Sequence, residues 1–533
     1  MIVLHDFQKK IKEEIKQAII QGHRKILVQS PTGSGKTVIF SSIVKDADLK
    51  ENKCLIITDR IELLNGTDST LIAFGLKTTT VTSGQKYPPI SYKHCVAMSQ
   101  TLRLRLERKV WVDFINSFSI VIIDEAHIQE FNIYFESKVI NKHMFILGFT
   151  ATPKRTKKQR KLSDDYTKLI IGPQIPELIR RGFLVKDIYY APRHFDTSGI
   201  KLNSFGDYKE SELFDKFNKN NLYLGVIKNW RTLAENSITL VFCVNIAHSI
   251  NTCKAFNEAG INAKFIVSGL SNPVYDDAMT DAQFEKFKEK KELYNEYKYA
   301  MTKYSGVRED VIREWQIGKF KVLVNTGIYT KGFDYKQIET IIVNRATTSE
   351  SLWLQMIGRG SRTFKGKTHF NILDFGSNAE RLGFYNQERE WSLEQLHSNS
   401  EGVAPVKECG LHHGKQKDDK YGNKGCGCLI LASKMICDYC GYIFEKDKFD
   451  IEIDLVKIDY AKNDFIDLER TAEERGYKFT WIIRRIIAKK GLEGLEEFAK
   501  YKNYNIHWVH RTKQMYSKEI KYYEEHKVQH EVL

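Results

Sequence analysis

Residues 25–37 read KILVQSPTGSGKT and decide the fold of the first part of the chain. The leading KILVQ is a short apolar run, typical of a strand buried on both faces, and an apolar helical pattern begins after the loop. Gly33 and Gly35 let the backbone curl so that its N–H groups face a phosphate, and the next helix adds positive potential. The segment therefore predicts a loop that binds the phosphates of a nucleotide, and its predicted contact residues are Ser30, Pro31, Thr32, Gly33, Ser34, Gly35, Lys36 and Thr37.

Individual residues around this loop have distinct predicted roles. Lys36 is placed to reach the β- and γ-phosphates, and the Thr37 hydroxyl to bind Mg²⁺. The strict pattern of such loops begins with Gly, whereas Ser30 stands in that place here. Upstream, the Gln8 amide can pair with an adenine edge, which favours ATP, although an ordinary surface glutamine is the alternative.

Similar apolar runs recur along the chain and interleave with helical patterns. Such alternation predicts right-handed βαβ units and parallel sheets. The first set of predicted strands is 25–29, 53–58, 94–98, 119–124 and 144–149, and the second is 238–243, 263–267, 321–325, 339–344 and 368–374. We therefore predict an α/β protein with two similar lobes.

A chain of 533 residues is too long for one core. We expect lobe 1 over 1–165, a linker and the start of lobe 2 over 166–220, and lobe 2 over 221–385. A charged stretch without Gly or Pro predicts a helical insertion at 279–304. Beyond the lobes, we expect a zinc-binding ribbon at 405–446 and a mainly helical domain at 455–533.

Composition restricts the partners and the location. The chain has 82 Lys and Arg against 67 Asp and Glu, a net charge of +15, which favours polyanions such as nucleic acid. It has no run of roughly eighteen apolar residues and no secretory leader, so we expect no membrane partner and a cytoplasmic location.

An acidic pair ends another apolar run, at 121–127 (VIIDEAH). Carboxylates in this position lie at the carboxyl edge of a sheet, where ligands bind in open α/β folds. Asp124 is predicted to hold Mg²⁺, directly or through water, and Glu125 to orient and deprotonate the attacking water. The alternative is an acidic turn without function.

With SPTGSGKT, DEAH and GFTATP (148–153), the chain resembles the superfamily 2 helicases. VNTGIYTKGFD (324–334) and QMIGRGSR (355–362) are similar to their motifs V and VI. The resemblance covers about residues 1–375 and implies two RecA-like lobes that hold ATP between them.

The resemblance also implies residue roles. Arg359 and Arg362 match the arginine fingers, and Gln355 opens motif VI, where Met356 replaces the usual Arg. Gly332 and Asp334 match the motif that contacts the ATP ribose and the nucleic-acid backbone. The residues that match nucleic-acid-gripping or coupling positions are Arg60, Gln100, Thr101, Thr150 and Thr152, and His127 is expected to link the two sites or to be structural.

Five of the nine cysteines fall in one short segment, which favours a metal site over disulfides. Cys437 and Cys440 form a CxxC knuckle followed by Gly441, and Zn²⁺ needs four such ligands. The predicted set is Cys409, Cys426, Cys437 and Cys440, with Cys428, His412 and His413 as rivals. Free thiols are the alternative.

A helicase core followed by cysteine knuckles and a helical tail resembles the RadD-type repair helicases and their phage-encoded relatives. We therefore expect an ATP-dependent DNA helicase or translocase acting in replication, recombination or repair, in a bacterial cell or a phage-infected host. Expected partners are single-stranded or branched DNA and a single-strand-binding or repair protein, with the chain itself a monomer. The alternatives are a restriction-type translocase with nuclease activity, an RNA helicase, or a nucleic-acid-binding scaffold with an inactive ATP site.

Overall fold

The computed structural model divides the chain into two compact units. Unit 1 comprises Met1–Asp187, Thr197–Asn378 and Tyr385–Ser400, and unit 2 comprises Ile188–Asp196, Ala379–Phe384 and Glu401–Leu533. The described residues are 2–128, 131, 141, 143–155, 161–192, 197, 200–203, 206–267, 269–274, 279–327, 335–394, 406–409, 411–412, 415–416, 418, 421–425, 429–431, 436–437, 440–443, 455–457, 465, 468–469, 479–502, 504–517 and 519–521.

The regular elements alternate in chain order through most of unit 1. The strands are β1 (Lys25–Gln29), β2 (Cys54–Thr58), β3 (Thr78–Val81), β4 (His94–Met98), β5 (Ile120–Asp124), β6 (Phe145–Thr150), β7 (Lys168–Ile171), β8 (Lys186–Pro192), β9 (Thr239–Cys243), β10 (Ala263–Ile266), β11 (Val322–Asn325), β12 (Thr340–Asn344), β13 (His369–Asp374), β14 (Val406–Glu408), β15 (Leu411–His412), β16 (Lys415–Gln416), β17 (Leu429–Leu431) and β18 (Leu455–Lys457). The helices are α1 (Asp6–Ile20), α2 (Lys36–Asp48), α3 (Ile61–Ala73), α4 (Ser99–Arg103), α5 (Lys109–Asn116), α6 (Ile175–Arg180), α7 (Glu210–Phe217), α8 (Asn220–Ala234), α9 (Ile246–Glu258), α10 (Asp281–Tyr304), α11 (Arg308–Gln316), α12 (Glu350–Ile357), α13 (Asn378–Leu382), α14 (Phe479–Tyr501) and α15 (Ile506–Met515).

Lobe 1 is built on a parallel sheet in the order β3-β4-β2-β5-β6-β1-β7. Its central strands are buried on both faces, as the continuous apolar runs predict; β2, for example, is buried along its whole length. Because the strands are parallel, the carboxyl ends of β1, β5 and β6 meet at one edge of the sheet. The phosphate loop, the acidic pair and the Thr150 segment therefore share that edge.

Lobe 2 lies in the same unit and contains the parallel strands β10-β11-β9-β12-β13. Helix α12 follows β12 and carries Gln355, while the segment after it carries Arg359 and Arg362. Helix α10 spans most of the stretch that its charge pattern predicts to be helical, and Thr280 caps its N-terminus by accepting from Gln283 N. The prediction of two parallel-sheet α/β lobes is confirmed.

Unit 2 contains short antiparallel strand pairs and a helical segment. Strands β14 and β17 pair with each other, as do β15 and β16, while β18 pairs with the end of β8. Helices α14 and α15 pack around a core with Leu495, Phe498 and Ile486 at its centre. The aromatic residues Trp481, Tyr501 and Trp508 pack against this core, so a helical tail with its own apolar centre is present.

Among the described residues, the structure has no helix with the length and apolar character needed to span a lipid bilayer.

Candidate nucleotide-binding site between the two lobes

The loop between β1 and α2 follows a path that favours glycine at two positions. Gly33 and Gly35 have φ values of +90° and +81°, in the left-handed region. A Cβ on Gly35 would lie 2.6 Å from Gln8 Nε2, and one on Gly33 would lie 2.9 Å from Leu184 Cδ2. Both the backbone conformation and the available space therefore disfavour a side chain here.

Hydrogen bonds inside the loop show how Ser30 is accommodated where the usual pattern has Gly. The Ser30 side chain is buried, and its Oγ lies 2.7 Å from Ser34 Oγ. Ser34 Oγ in turn donates to the Pro31 carbonyl at 2.6 Å. The Ser30 N–H donates to the Thr150 carbonyl at 2.9 Å, so the loop is tied to β6. Lys36 Nζ donates to the Ser30 carbonyl at 3.2 Å and thus lies within the loop.

Gln8 contacts the phosphate loop directly. Its side chain is buried, its Nε2 donates to the Ser34 carbonyl at 2.9 Å, and its Oε1 accepts the His5 N–H at 3.0 Å. Gln8 is therefore not an ordinary surface glutamine. Its amide connects the start of α1 to the loop, while a contact with adenine stays a prediction.

Asp124 and Glu125 lie at the carboxyl end of β5, close to the phosphate loop. Both side chains are buried, and Asp124 Oδ1 accepts the Glu125 N–H at 3.0 Å. Burial raises the pKa of Asp124 to about 7, the charge of Glu125 adds to the increase, and Lys36 opposes it. Glu125 has a φ of +52°, an uncommon conformation for a residue with a side chain. The pair is thus a concentrated, poorly solvated negative charge.

His127 connects the two lobes. Its Nδ1 lies 2.7 Å from Thr150 Oγ1 in lobe 1, and its Nε2 lies 3.0 Å from Ser351 Oγ on α12. Gln355 Nε2 donates to the same Ser351 hydroxyl at 3.4 Å. The Thr152 N–H donates to Thr150 Oγ1 at 3.0 Å and fixes that hydroxyl. Three residues of the predicted set, His127, Thr150 and Thr152, therefore belong to one hydrogen-bonded chain that reaches α12 of lobe 2.

The two candidate arginine fingers face lobe 1. A Cβ on Gly33 would lie 4.0 Å from Arg362 Nε, so this guanidinium borders the phosphate loop. Burial lowers the pKa of Arg359 to about 10, while the negative charge of Glu125 raises it and the positive charge of Arg60 lowers it further. Burial also lowers the pKa of Arg362. The structure thus places Arg362 beside the phosphate loop and Arg359 where the charge of Glu125 acts on it.

Close backbone packing holds the arginine segment in this place. A Cβ on Gly358 would lie 2.8 Å from Thr32 Cβ, so only a glycine lets this segment approach the phosphate loop so closely. Met356 is fully buried in the core of lobe 2, which suits the absence of a predicted catalytic role. Lys367 Nζ donates to the Gly360 carbonyl at 2.6 Å, between the two arginines.

The predicted nucleic-acid-gripping residues of lobe 1 lie just before α3 and on α4. Arg60 precedes α3, and its guanidinium donates to the Gly327 carbonyl of lobe 2 at 2.7 Å. Gln100 and Thr101 lie on α4, where Gln100 is exposed and Thr101 is buried. Gly332 and Asp334 lie outside the described residues.

Three cysteines of unit 2 come together as a metal centre requires. The sulfur atoms of Cys409, Cys437 and Cys440 all lie within 4.8 Å of one another, and those of Cys409 and Cys440 are 3.5 Å apart. Thiolates on one tetrahedral Zn²⁺ lie about 3.8 Å apart, whereas a disulfide bond is about 2 Å long. Gly441 has a φ of +72° and its N–H donates to the Cys437 carbonyl, which forms the tight turn of a knuckle. The donor set therefore fits zinc; Cys426, Cys428 and His413 lie outside the described residues.

Sequence reasoning missed several contacts that support this site. Glu350, at the start of α12, accepts from Lys154 of lobe 1 at 3.0 Å and from Arg389 at 2.7 Å. Arg155 forms a fully buried ion pair with Asp165 at 2.7 Å. Lys154 and Arg155 begin a basic run that resembles a solvated linker, and the partners lie far away in sequence. Such single charges carry no local pattern from which their role could be found.

Two protein families match parts of the chain. The type III restriction enzyme res subunit matches residues 1–155, and the helicase conserved C-terminal domain matches residues 274–363. The two matches fall on the two α/β lobes.

Individual relatives agree with these family matches. The candidate ATP-dependent helicase IRC3 of Saccharomyces cerevisiae is 29% identical over 70% of this chain and 51% of its own length. A 51.5 kDa protein of a Lactococcus phage is 24% identical over 87% of this chain and 89% of its own length. A fragment of a candidate HsdR subunit of a type I restriction enzyme from Vibrio vulnificus has a TM-score of 0.50 at 19% identity, over 70% of this chain and 64% of that one, and thus shares the fold. The chain spans about half the length of the yeast relative.

Proposed function

The chain belongs to the superfamily 2 helicases by its motifs and its two family matches, and from this premise we propose that it is an ATP-dependent DNA helicase or translocase. The proposal rests on one observation: Arg362 of lobe 2 borders the phosphate loop of lobe 1. Arg359 of the same segment interacts electrostatically with Glu125. In such an arrangement, ATP would be held by both lobes, and its hydrolysis would change how they fit together.

Each group in the cleft has a chemical task in hydrolysis. The N–H groups of the glycine loop and Lys36 would hold the phosphates. Glu125, at the end of β5, would orient the attacking water and accept its proton. Arg359 and Arg362 would neutralise the charge that develops on the γ-phosphate, since a planar guanidinium can contact two oxygens at once. Burial of both arginines strengthens this interaction because water screens it less.

The acidic pair also fits Mg²⁺. Burial, and then the charge of Glu125, raise the pKa of Asp124, so a cation beside it would be favourable. Asp124 and Thr37 are the residues that would hold the ion, which supplies charge neutralisation for the phosphates. Equally, Cys409, Cys437 and Cys440 would hold Zn²⁺ in unit 2, with Cys426 as the predicted fourth ligand and Cys428 as its rival.

DNA is the proposed polymer for two reasons. The net charge of +15 favours a polyanion, and one of the matched families is a restriction-enzyme subunit. The relation to a phage protein supports a role in a bacterial cell or in a phage-infected host. A role in repair, a RadD-type subfamily and an action as a monomer remain part of this proposal. The same restriction-enzyme match favours a translocase that need not separate strands as the second candidate.

ATP hydrolysis by purified protein tests the proposal. We expect hydrolysis to be stimulated by nucleic acid, most by single-stranded or forked DNA and less by RNA at equal salt, and to weaken as salt rises. Lys36→Ala should abolish hydrolysis, whereas Lys45→Ala, in the last turn of the same helix, should not. Normal hydrolysis by the Lys36 variant would refute the site assignment.

Two further assays separate the alternatives. Displacement of an annealed strand would distinguish a helicase from a translocase that only moves along the duplex. Incubation of supercoiled plasmid with Mg²⁺ would detect a nuclease. Stimulation by RNA alone would instead favour an RNA helicase.

A further inference from the structure

Glu350 occupies a place that the helicase motifs do not include. It is the first residue of α12, its side chain is 8% exposed, and both of its carboxylate oxygens are used. Oε2 accepts from Lys154 Nζ at 3.0 Å, and Oε1 accepts from Arg389 Nε at 2.7 Å. Lys154 belongs to lobe 1, four residues after Thr150, so Glu350 joins the two lobes beside the nucleotide site.

Helix α12 connects Glu350, at its N-terminal end, to the segment that carries Arg359. Ser351, Gln355 and Arg359 recur at intervals of four residues, which places Ser351 and Gln355 on one face of the helix and Arg359 just beyond its end. Ser351 contacts His127 through its hydroxyl. A shift at the first turn of α12 would therefore move Arg359 relative to Glu125.

The two partners of Glu350 differ in how firmly they are held. Arg389 is 5% exposed, and its guanidinium also donates to the Gln387 carbonyl at 2.9 Å and the Tyr385 carbonyl at 3.4 Å. Separating this pair would take the buried Arg389 guanidinium away from the nearest carboxylate in a poorly solvated place, which is strongly unfavourable. Lys154 is 37% exposed, so its ammonium can exchange Glu350 for water at small cost. The Arg389 contact is therefore the permanent one and the Lys154 contact the reversible one.

We propose that Glu350 is a positioning residue of the nucleotide site: Arg389 holds one of its oxygens permanently, and Lys154 binds the other when the lobes close, which sets Arg359 opposite Glu125 for hydrolysis. The inference rests on the proposed function as an ATPase. It assigns a role to two residues outside the motifs, Glu350 and Arg389, and to a lysine that otherwise resembles part of a solvated basic run.

Substitution of Lys154 tests this role without opening a buried charge pair. With saturating DNA, Lys154→Met should lower kcat for ATP hydrolysis roughly fivefold, the lower end of the usual range for coupling between sites, while KM stays within about twofold. Lys154→Arg should restore most of the rate because it keeps the charge. Lys264→Met is the matched control, since Lys264 forms an ion pair with Glu314 at 2.6 Å within lobe 2 and is similarly half-buried.

A double substitution shows whether the effect acts through Arg359. In an Arg359→Met background, Lys154→Met should cause no further loss in single-turnover hydrolysis. The inference is overturned by an unchanged kcat in Lys154→Met, by an equal loss in Lys264→Met, or by a full further loss in the Arg359→Met background. An inactive wild-type protein, or an active Lys36→Ala variant, would overturn the proposed function itself and this inference with it.

Discussion

Replacement of Arg359 by Met should separate activity from stability. Burial lowers the pKa of Arg359 to about 10, well below the usual value for a guanidinium, which corresponds to about 3 kcal/mol of free energy against the charged form in the folded protein. Because the folded pKa lies below the unfolded one, this cost is present at every pH below about 10 and is relieved only above it. At neutral pH the wild type therefore bears the whole cost.

Methionine removes that cost and keeps most of the side-chain volume, while the attraction to Glu125 is lost. We therefore expect the free energy of unfolding of nucleotide-free Arg359→Met to be unchanged or to rise by up to about 3 kcal/mol, measured by chemical denaturation at neutral pH. ATP hydrolysis should fall roughly 10³-fold, as is usual when an arginine finger is removed, with nucleotide binding changed only a few-fold.

Arg155→Met is the control with the opposite expected sign. Arg155 and Asp165 form an ion pair whose side chains are both fully buried. Removal of Arg155 takes the nearest positive charge away from the buried Asp165 carboxylate, so this variant should lose about 3–5 kcal/mol of unfolding free energy. The reasoning fails if Arg359→Met is destabilised as much as Arg155→Met, or if it hydrolyses ATP within about tenfold of the wild-type rate.

Three other substitutions follow from the geometry. Burial, and then the charge of Glu125, raise the pKa of Asp124 to about 7, so the folded protein favours the protonated carboxyl and loses stability as the pH rises through that value. Asp124→Asn should therefore raise the melting temperature above neutral pH and leave it unchanged near pH 3.8. An equal change in melting temperature at both pH values would contradict this. Gly358→Ala should lower ATP hydrolysis roughly 100-fold but spare ATP binding, because the alanine Cβ would lie 2.8 Å from Thr32 Cβ and push the two lobes apart. A near-normal rate of hydrolysis would argue against close contact between the lobes. Cys409→Ser and Cys437→Ser should each release zinc, measured by elemental analysis. Cys54 is a buried thiol outside this cluster, so Cys54→Ser should retain the zinc. A wild-type protein that purifies without zinc would refute the metal centre.

The central strands could be predicted from the sequence because burial on both faces leaves a continuous apolar run. The run at 119–124, for example, becomes β5 at Ile120–Asp124. Strand β3 (TTTV) was missed, since it lies at a sheet edge and three of its residues are half-buried threonines. Strand β7 was missed for a similar reason, as it is a four-residue edge strand with exposed ends.

The residues of the candidate site likewise fall into two groups: those that local sequence patterns predict, and those that only the folded chain brings together. Groups that must approach a phosphate lie in short contiguous motifs, because a glycine turn or a strand end builds them locally, and these were found. Contacts such as Glu350 with Lys154 join residues 196 positions apart, and the pairing depends on how two lobes fit. Nothing in the local sequence distinguishes that glutamate from a solvated one, so only the folded chain reveals it.

The charges in the cleft suggest why nucleic acid would affect hydrolysis. Arg60 is predicted to contact the nucleic-acid backbone, and its positive charge also lowers the pKa of Arg359. A phosphate bound at Arg60 would offset this repulsion, so Arg359 would be held more easily beside Glu125 in its charged form. The same phosphate would compete with the Gly327 carbonyl, to which Arg60 donates at 2.7 Å across the lobes. Binding of the polymer and placement of Arg359 would thus be linked through the Arg60 guanidinium.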